Sequence, residues 1–252
     1  MIKSFLLPFI LVNLIYSQEV KNSTLEVKYT HSVNLENSSG VIELNAFLTS
    51  NEKVSIYELD FANEANFIDE EDYSEGNDRE SKTLIRIRSK SNPVFFKVLD
   101  DKTINYIQRI SMKPFLIEDS YTVFKWNIKD DYKNILGYKC QKAILNFRGR
   151  NYEAYFTLEI PFNAGPWKFS GLPGTILEIR EENDVLNIIA NKVVISNKKT
   201  VIDDPFSEQE SISWDEYIKE YKKKFDELNS YVGPEGTRVR IPKKNIEVYI
   251  EE

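Results

Sequence analysis

The sequence predicts a mainly β fold, an antiparallel, curved sheet or half-barrel carrying one C-terminal amphipathic helix. Three observations lead to it. Apolar and polar residues alternate in several stretches, the pattern of strands with one buried and one wet face. Glycine-bearing turns join such stretches directly, as in antiparallel hairpins. Only one stretch carries convincing helical spacing.

The first element in the chain is an export signal, not part of the fold. Lys3 supplies a positive start, and the apolar run from Phe5 to Tyr16 ends at small Ser17. This predicts a signal peptide over residues 1–17, cut before Gln18, since the run is shorter than the ~20 residues needed to cross a bilayer. The remainder, residues 18–252, reads as one mainly β domain with no transmembrane span. Leu25, Val27 and Tyr29 alternate with Glu26, Lys28 and Thr30, and further strand-like runs cover Leu84 to Ile87, Val94 to Val98 and Ile104 to Ile110. Tyr138 to Phe147 leads through Arg148-Gly149-Arg150 into a regular alternation, in which Tyr152, Ala154, Phe156, Leu158 and Ile160 share one face. Gly149 suits the positive φ of a tight hairpin turn. The segments Asp69 to Glu80 and Ser196 to Glu210 read as exposed loops.

The helix is expected over about residues 213–230. Ser213 and Glu216 form a capping box, and Trp214, Tyr217, Ile218, Tyr221, Phe225 and Leu228 build one apolar stripe. Gly233-Pro234 stops it. A final strand is expected over about residues 246–250, from Ile246 to Ile250.

Charge and composition narrow the function classes. With 33 basic against 40 acidic residues, a formal net charge of −7 and no long basic run, nucleic acid is not an expected partner. One cysteine, Cys140, excludes an internal disulfide framework, and one histidine, His31, leaves a His-based triad or multi-His metal site without its parts. Cys140 reads as a buried structural residue, and His31 as a structural or surface residue. The sequons at Asn22 and Asn37 matter only in a eukaryotic secretory pathway. The densest carboxylates, Asp69 to Asp72 and Asp203-Asp204, read as solvated loop charges. No catalytic, cofactor-binding or metal-ligating residue is assigned, and no cofactor is expected.

The most informative stretch runs from Trp126 to Ile179. Within it, Gly165-Pro166-Trp167-Lys168-Phe169 precedes Gly171-Leu172-Pro173-Gly174-Thr175. Pro173 presets the second position of a type II turn and Gly174 supplies positive φ at the third. At strand spacing Trp167 and Phe169 face the core and Lys168 faces water. Gly165, Pro166, Trp167, Gly171, Leu172, Pro173 and Gly174 are thus expected to form a structural motif. This stretch resembles the GLPGLI family of exported proteins of Gram-negative bacteria, with Thr175 standing where the family name has leucine. The resemblance implies envelope localisation, periplasmic, outer-membrane-associated or secreted, and no assigned activity. The leading reading is a non-catalytic binding or carrier protein of the cell envelope, its partner an apolar ligand or an envelope protein. A structural component of a surface or secretion complex is the alternative, and a carboxylate-based hydrolase comes third.

Overall fold

The computed structural model describes residues 23–35, 40–61, 92–232 and 241–250. The signal peptide, the Asp69 to Glu80 loop, the Leu84 to Ile87 run, both sequon asparagines and Gly233-Pro234 lie outside these residues. The described residues form a twelve-stranded sheet: β1 (Thr24–Val33), β2 (Ile42–Ser50), β3 (Val54–Asp60), β4 (Val94–Val98), β5 (Thr103–Ile110), β6 (Lys113–Ser120), β7 (Asn127–Ile135), β8 (Tyr138–Phe147), β9 (Arg150–Thr157), β10 (Thr175–Glu181), β11 (Leu186–Ser196) and β12 (Ile212–Ser213). Their spatial order is β12-β6-β5-β4-β3-β2-β1-β11-β10-β9-β8-β7. All pairs are antiparallel except the short β12, which runs parallel to β6. Among the described residues the sheet is open, since its end strands β7 and β12 do not pair with each other.

The order consists of two meanders joined by the β1–β11 pair, and local chemistry explains two of their hairpins. Arg148 and Gly149 both have positive φ, 47° and 75°, between the paired residues Phe147 and Arg150. Leu136 and Gly137 repeat the device at 52° and 89° between Ile135 and Tyr138. Two residues of positive φ twist a hairpin in the hand its strands require. The free edge of β7 is blunted by a register irregularity between Ile128 and Tyr132 and by its charged residues, both of which discourage edge-to-edge pairing.

One face of the sheet carries the core. Tyr29, Tyr57, Phe95 and Tyr106 form an aromatic row along it, with successive ring centroids 5.9, 6.2 and 5.7 Å apart. Ala46 stands opposite Tyr29 on β2, and its small side chain lets the Tyr29 and Tyr57 rings meet across that strand. His31 is buried here with Nδ1 2.9 Å from the Tyr57 hydroxyl. Burial drives its pKa down to about 3, so it is a neutral core residue. Cys140 is also buried, and its thiol is pushed up to about 11, chiefly by burial.

Three pieces of chain cover this face. The segment 158–174 lies under the row, with Trp167 against Phe95 at 6.2 Å and Phe169 against Tyr152 at 4.9 Å. Helix α1 (Trp214–Ser230) starts at the expected capping box of Ser213 and Glu216, and the Tyr217 hydroxyl donates to the Arg109 carbonyl at 3.1 Å. The third piece is residues 241–250, where the structure departs from expectation. No strand forms over 246–250. The chain instead folds back on itself, with the Tyr249 and Ile250 amides donating to the Lys243 carbonyl and an isolated bridge between Lys244 and Val248. Within this fold-back Glu247 is buried and ion-paired to Arg148 and Lys168.

On the opposite face, Phe206 packs with Phe96 and Leu116 in a smaller apolar cluster. The Ser196 to Glu210 loop, largely exposed as expected, therefore contributes one buried anchor.

Gly174 has φ 127°, and a Cβ there would come 2.1 Å from the Thr157 carbonyl oxygen. Gly174→Val is expected to lower stability by about 1–3 kcal/mol through backbone strain, more if Thr157 cannot shift. Thermal denaturation beside the wild type checks this, and an unchanged melting temperature contradicts it.

Candidate functional site

The alternation expected for residues 167–169 does not occur. Trp167 adopts φ 50°, so its neighbours do not project in strand fashion. Trp167, Lys168 and Phe169 are all buried, Lys168 to 1 % exposure. Its ammonium meets the Glu247 carboxylate, Nζ to Oε2, at 2.6 Å. Arg148, projected from the β8–β9 turn, holds the other oxygen, Nη1 to Oε1, at 2.7 Å. Its Nη2 contacts Asp119 Oδ2 on β6 at 2.6 Å, and the Tyr106 hydroxyl donates to the same oxygen at 3.0 Å. Two cations and two carboxylates thus form one connected, charge-balanced cluster between the sheet, the 158–174 segment and the C-terminal segment.

Aromatic rings enclose it. The Lys168 Nζ lies 4.0 Å from the Tyr106 ring centroid, 4.9 Å from Trp167 and 5.1 Å from Trp214. The Arg148 guanidinium stacks 3.3 Å over Trp214, the first residue of α1. Burial lowers the Lys168 pKa to about 8 against the pull of Glu247. For Glu247 burial acts upward, but Lys168 and Arg148 outweigh it and hold the carboxyl below its usual range.

A second lysine fastens the same segment from the other side. Lys97 on β4 is fully buried, and its Nζ donates to the carbonyls of Gly165 at 2.6 Å and Phe169 at 2.9 Å. These bracket a tight turn closed by Phe169 N donating to the Pro166 carbonyl at 3.0 Å. Gly165 has no space for a side chain, since a Cβ would lie 2.7 Å from the Phe169 oxygen. Burial alone brings the Lys97 pKa down to about 7.

Of the seven motif residues, Trp167 and Leu172 enter the main core. Gly165, Pro166 and Trp167 belong to the turn that Lys97 holds. Gly171 and Gly174 take positive φ, and Pro173 precedes Gly174 in the bend before β10. Sequence reasoning missed Asp119, Arg148, Lys168, Glu247 and Lys97. The one available signal was Lys168 itself, a lysine between two core aromatics. Among the described residues, no group of three or more His, Cys, Asp and Glu side chains is placed to hold a metal. No described helix is long and apolar enough to cross a membrane.

Comparison with known proteins places this arrangement in context. A family model described as "Protein of unknown function (Porph_ging)" matches residues 147–178, the stretch that holds Arg148, Lys168 and the turn. No curated protein matches the chain. Among solved structures, PNGF-II in a C2 crystal form is similar with 15 % identity, a TM-score of 0.50, and coverage of 80 % of this chain and 32 % of that one. PNGF-II in a P21 form gives 14 % identity, a TM-score of 0.51, and coverage of 81 % and 34 %. At such identities the likeness is one of fold. This chain spans about a third of the length of those chains.

Glu247→Gln leaves two buried cations with one carboxylate between them, and removal of one partner from a buried pair costs about 3–5 kcal/mol. Chemical denaturation is expected to show a loss of that size, and a loss below 1 kcal/mol contradicts the cluster's role. Lys97 yields a pH effect of defined sign. The folded chain releases the Lys97 proton near pH 7, whereas the unfolded chain keeps it to about 10.4, so stability rises with pH between those values by about 1.4 kcal/mol per unit. Lys168 adds to this above about pH 8. Unfolding free energies of wild type and Lys97→Met at pH 7 and 8 test it, with the variant losing most of the rise.

Proposed function

We propose that this chain is a non-catalytic binding module of the bacterial cell envelope, engaging an envelope protein through its outer surface. The observation that carries this reading is the occupied core face. The Trp167 and Phe169 segment, α1 and residues 241–250 pack where a carrier would hold an apolar ligand. The carboxylates that converge there, Asp119 and Glu247, are neutralised by Arg148 and Lys168 and shielded by aromatic rings, unlike the paired carboxylates of a hydrolytic cleft. Binding is thereby left to the surface.

Other observations support it. The apolar run before Gln18 and the resemblance to the GLPGLI family favour an exported protein. The likeness to about a third of the PNGF-II chains is a likeness to a fold that exists there beside further chain, as expected of an accessory unit. A surface recess of about 330 Å³ lies between the β5–β6 hairpin and α1, lined by Met112, Phe115, Lys113, Glu220 and Lys224 among others. Met112 at the hairpin tip is 66 % exposed. Apolar side chains rimmed by charge are a common form of protein-binding surface.

The test is crosslinking of the protein in its own envelope, followed by native mass spectrometry of the purified chain. Crosslinks to one envelope protein that map to the outer surface are expected, with Met112→Glu weakening them while the melting temperature stays unchanged. A stoichiometric lipid that crosslinks to Tyr57, Tyr106 or Trp167 would overturn the reading in favour of a carrier.

A further inference from the structure

The Lys168–Glu247 contact has the components of a covalent crosslink. We propose that the two side chains condense within the folded protein to an isopeptide bond, joining the 158–174 segment to the C-terminal segment. The Lys168 Nζ and Glu247 Oε2 are 2.6 Å apart, both residues are 1 % exposed, and 79 positions separate them in sequence. Arg148 Nη1 donates to Oε1 of the same carboxyl at 2.7 Å, on the oxygen that does not face the lysine.

The chemistry balances without a co-reactant. One proton passes from Nζ to Oε2 along the short hydrogen bond, leaving an amine beside a carboxylic acid. The Nζ lone pair then attacks Cδ. The electron pair displaced from the carbonyl collects on Oε1, where the Arg148 guanidinium stabilises it as a preorganised donor does an oxyanion. A second proton moves from Nζ to the Oε2 hydroxyl, the Cδ–Oε2 bond breaks, and Oε2 leaves as water. An ammonium and a carboxylate have become an amide and one water, with no net change in protons or oxidation state.

The surroundings suit both reaction and product. Burial already lowers the affinity of Lys168 for its proton, which favours the first transfer. The two cations that hold Glu247 ionised oppose that transfer. Fixing amine and carboxyl in contact supplies the proximity that such a bimolecular step lacks in water. Condensation removes one buried cation and one buried anion together. Arg148 and Asp119, 2.6 Å apart, remain as a balanced pair, and Arg148 Nη1 still has the amide oxygen to donate to. The Tyr106, Trp167 and Trp214 rings around Nζ screen the product from hydrolysis. A chain with one cysteine would gain by this route the long-range tie that a disulfide gives other exported proteins.

Intact mass spectrometry of the protein from its own cells, fresh and after incubation at neutral to alkaline pH, tests the proposal. The expected mass is one water below that of the mature sequence, with a proteolytic fragment in which the Lys168 and Glu247 peptides are linked. Lys168→Arg, which keeps a cation but cannot form this bond, is expected at its full mass. A wild-type chain at full mass under all conditions overturns the proposal and leaves an ion pair. A lost water that maps to peptides lacking Lys168 overturns it equally.

Discussion

Under the 158–174 segment, a lysine and a glutamate meet at 2.6 Å with almost no exposure to solvent, and much of the surrounding arrangement exists to make that contact tolerable. Moving two such charges out of water costs several kcal/mol per ion. The compensation comes from distant parts of the chain: Arg148 from a hairpin turn, Asp119 and Tyr106 from adjacent strands, Trp214 from the first turn of α1. Each supplies a hydrogen bond, a countercharge or a ring face. Because the cluster is satisfied only when all of these arrive together, it disfavours any packing in which one segment is misplaced.

Lys97 works by a different principle. Among the described residues it has no carboxylate beside it, only the carbonyls at the two ends of the Gly165–Phe169 turn. An amine with two carbonyl acceptors is satisfied even when neutral, which fits a pKa near 7. The turn is thus held from the sheet by Lys97 and from the C-terminal segment by Lys168, with Trp167 between them. The stretch matched by the family model contains both the held turn and Arg148.

Fold and function are separable here. A sheet of this kind recurs in PNGF-II at 14–15 % identity, a level at which backbone architecture persists while surface and site residues differ, and function resides in sites, not in folds. In this chain the core face is consumed by internal contacts. The proposed binding is therefore assigned to the surface, including the Met112 recess, and the proposed condensation to the cluster itself.

The sequence alone marked the helix and five of the twelve strands, because their signals are local. Side-chain alternation marked β1 and β9, short apolar or β-branched runs marked β4, β5 and β8, positive-φ glycine marked the Arg148-Gly149 turn, and a capping box marked the start of α1. It also marked the Gly165 to Gly174 stretch as special, through its density of Gly, Pro and aromatic residues. The strand expectation failed at Lys168 and at 246–250. In both places a charged residue breaks the rule that charge faces water, and the partner that permits this lies 79 residues away. Only the tertiary structure decided which charges are buried together. Ion pairing depends on distance in space, and no local pattern encodes that Lys168, Glu247, Arg148 and Asp119 arrive at one point.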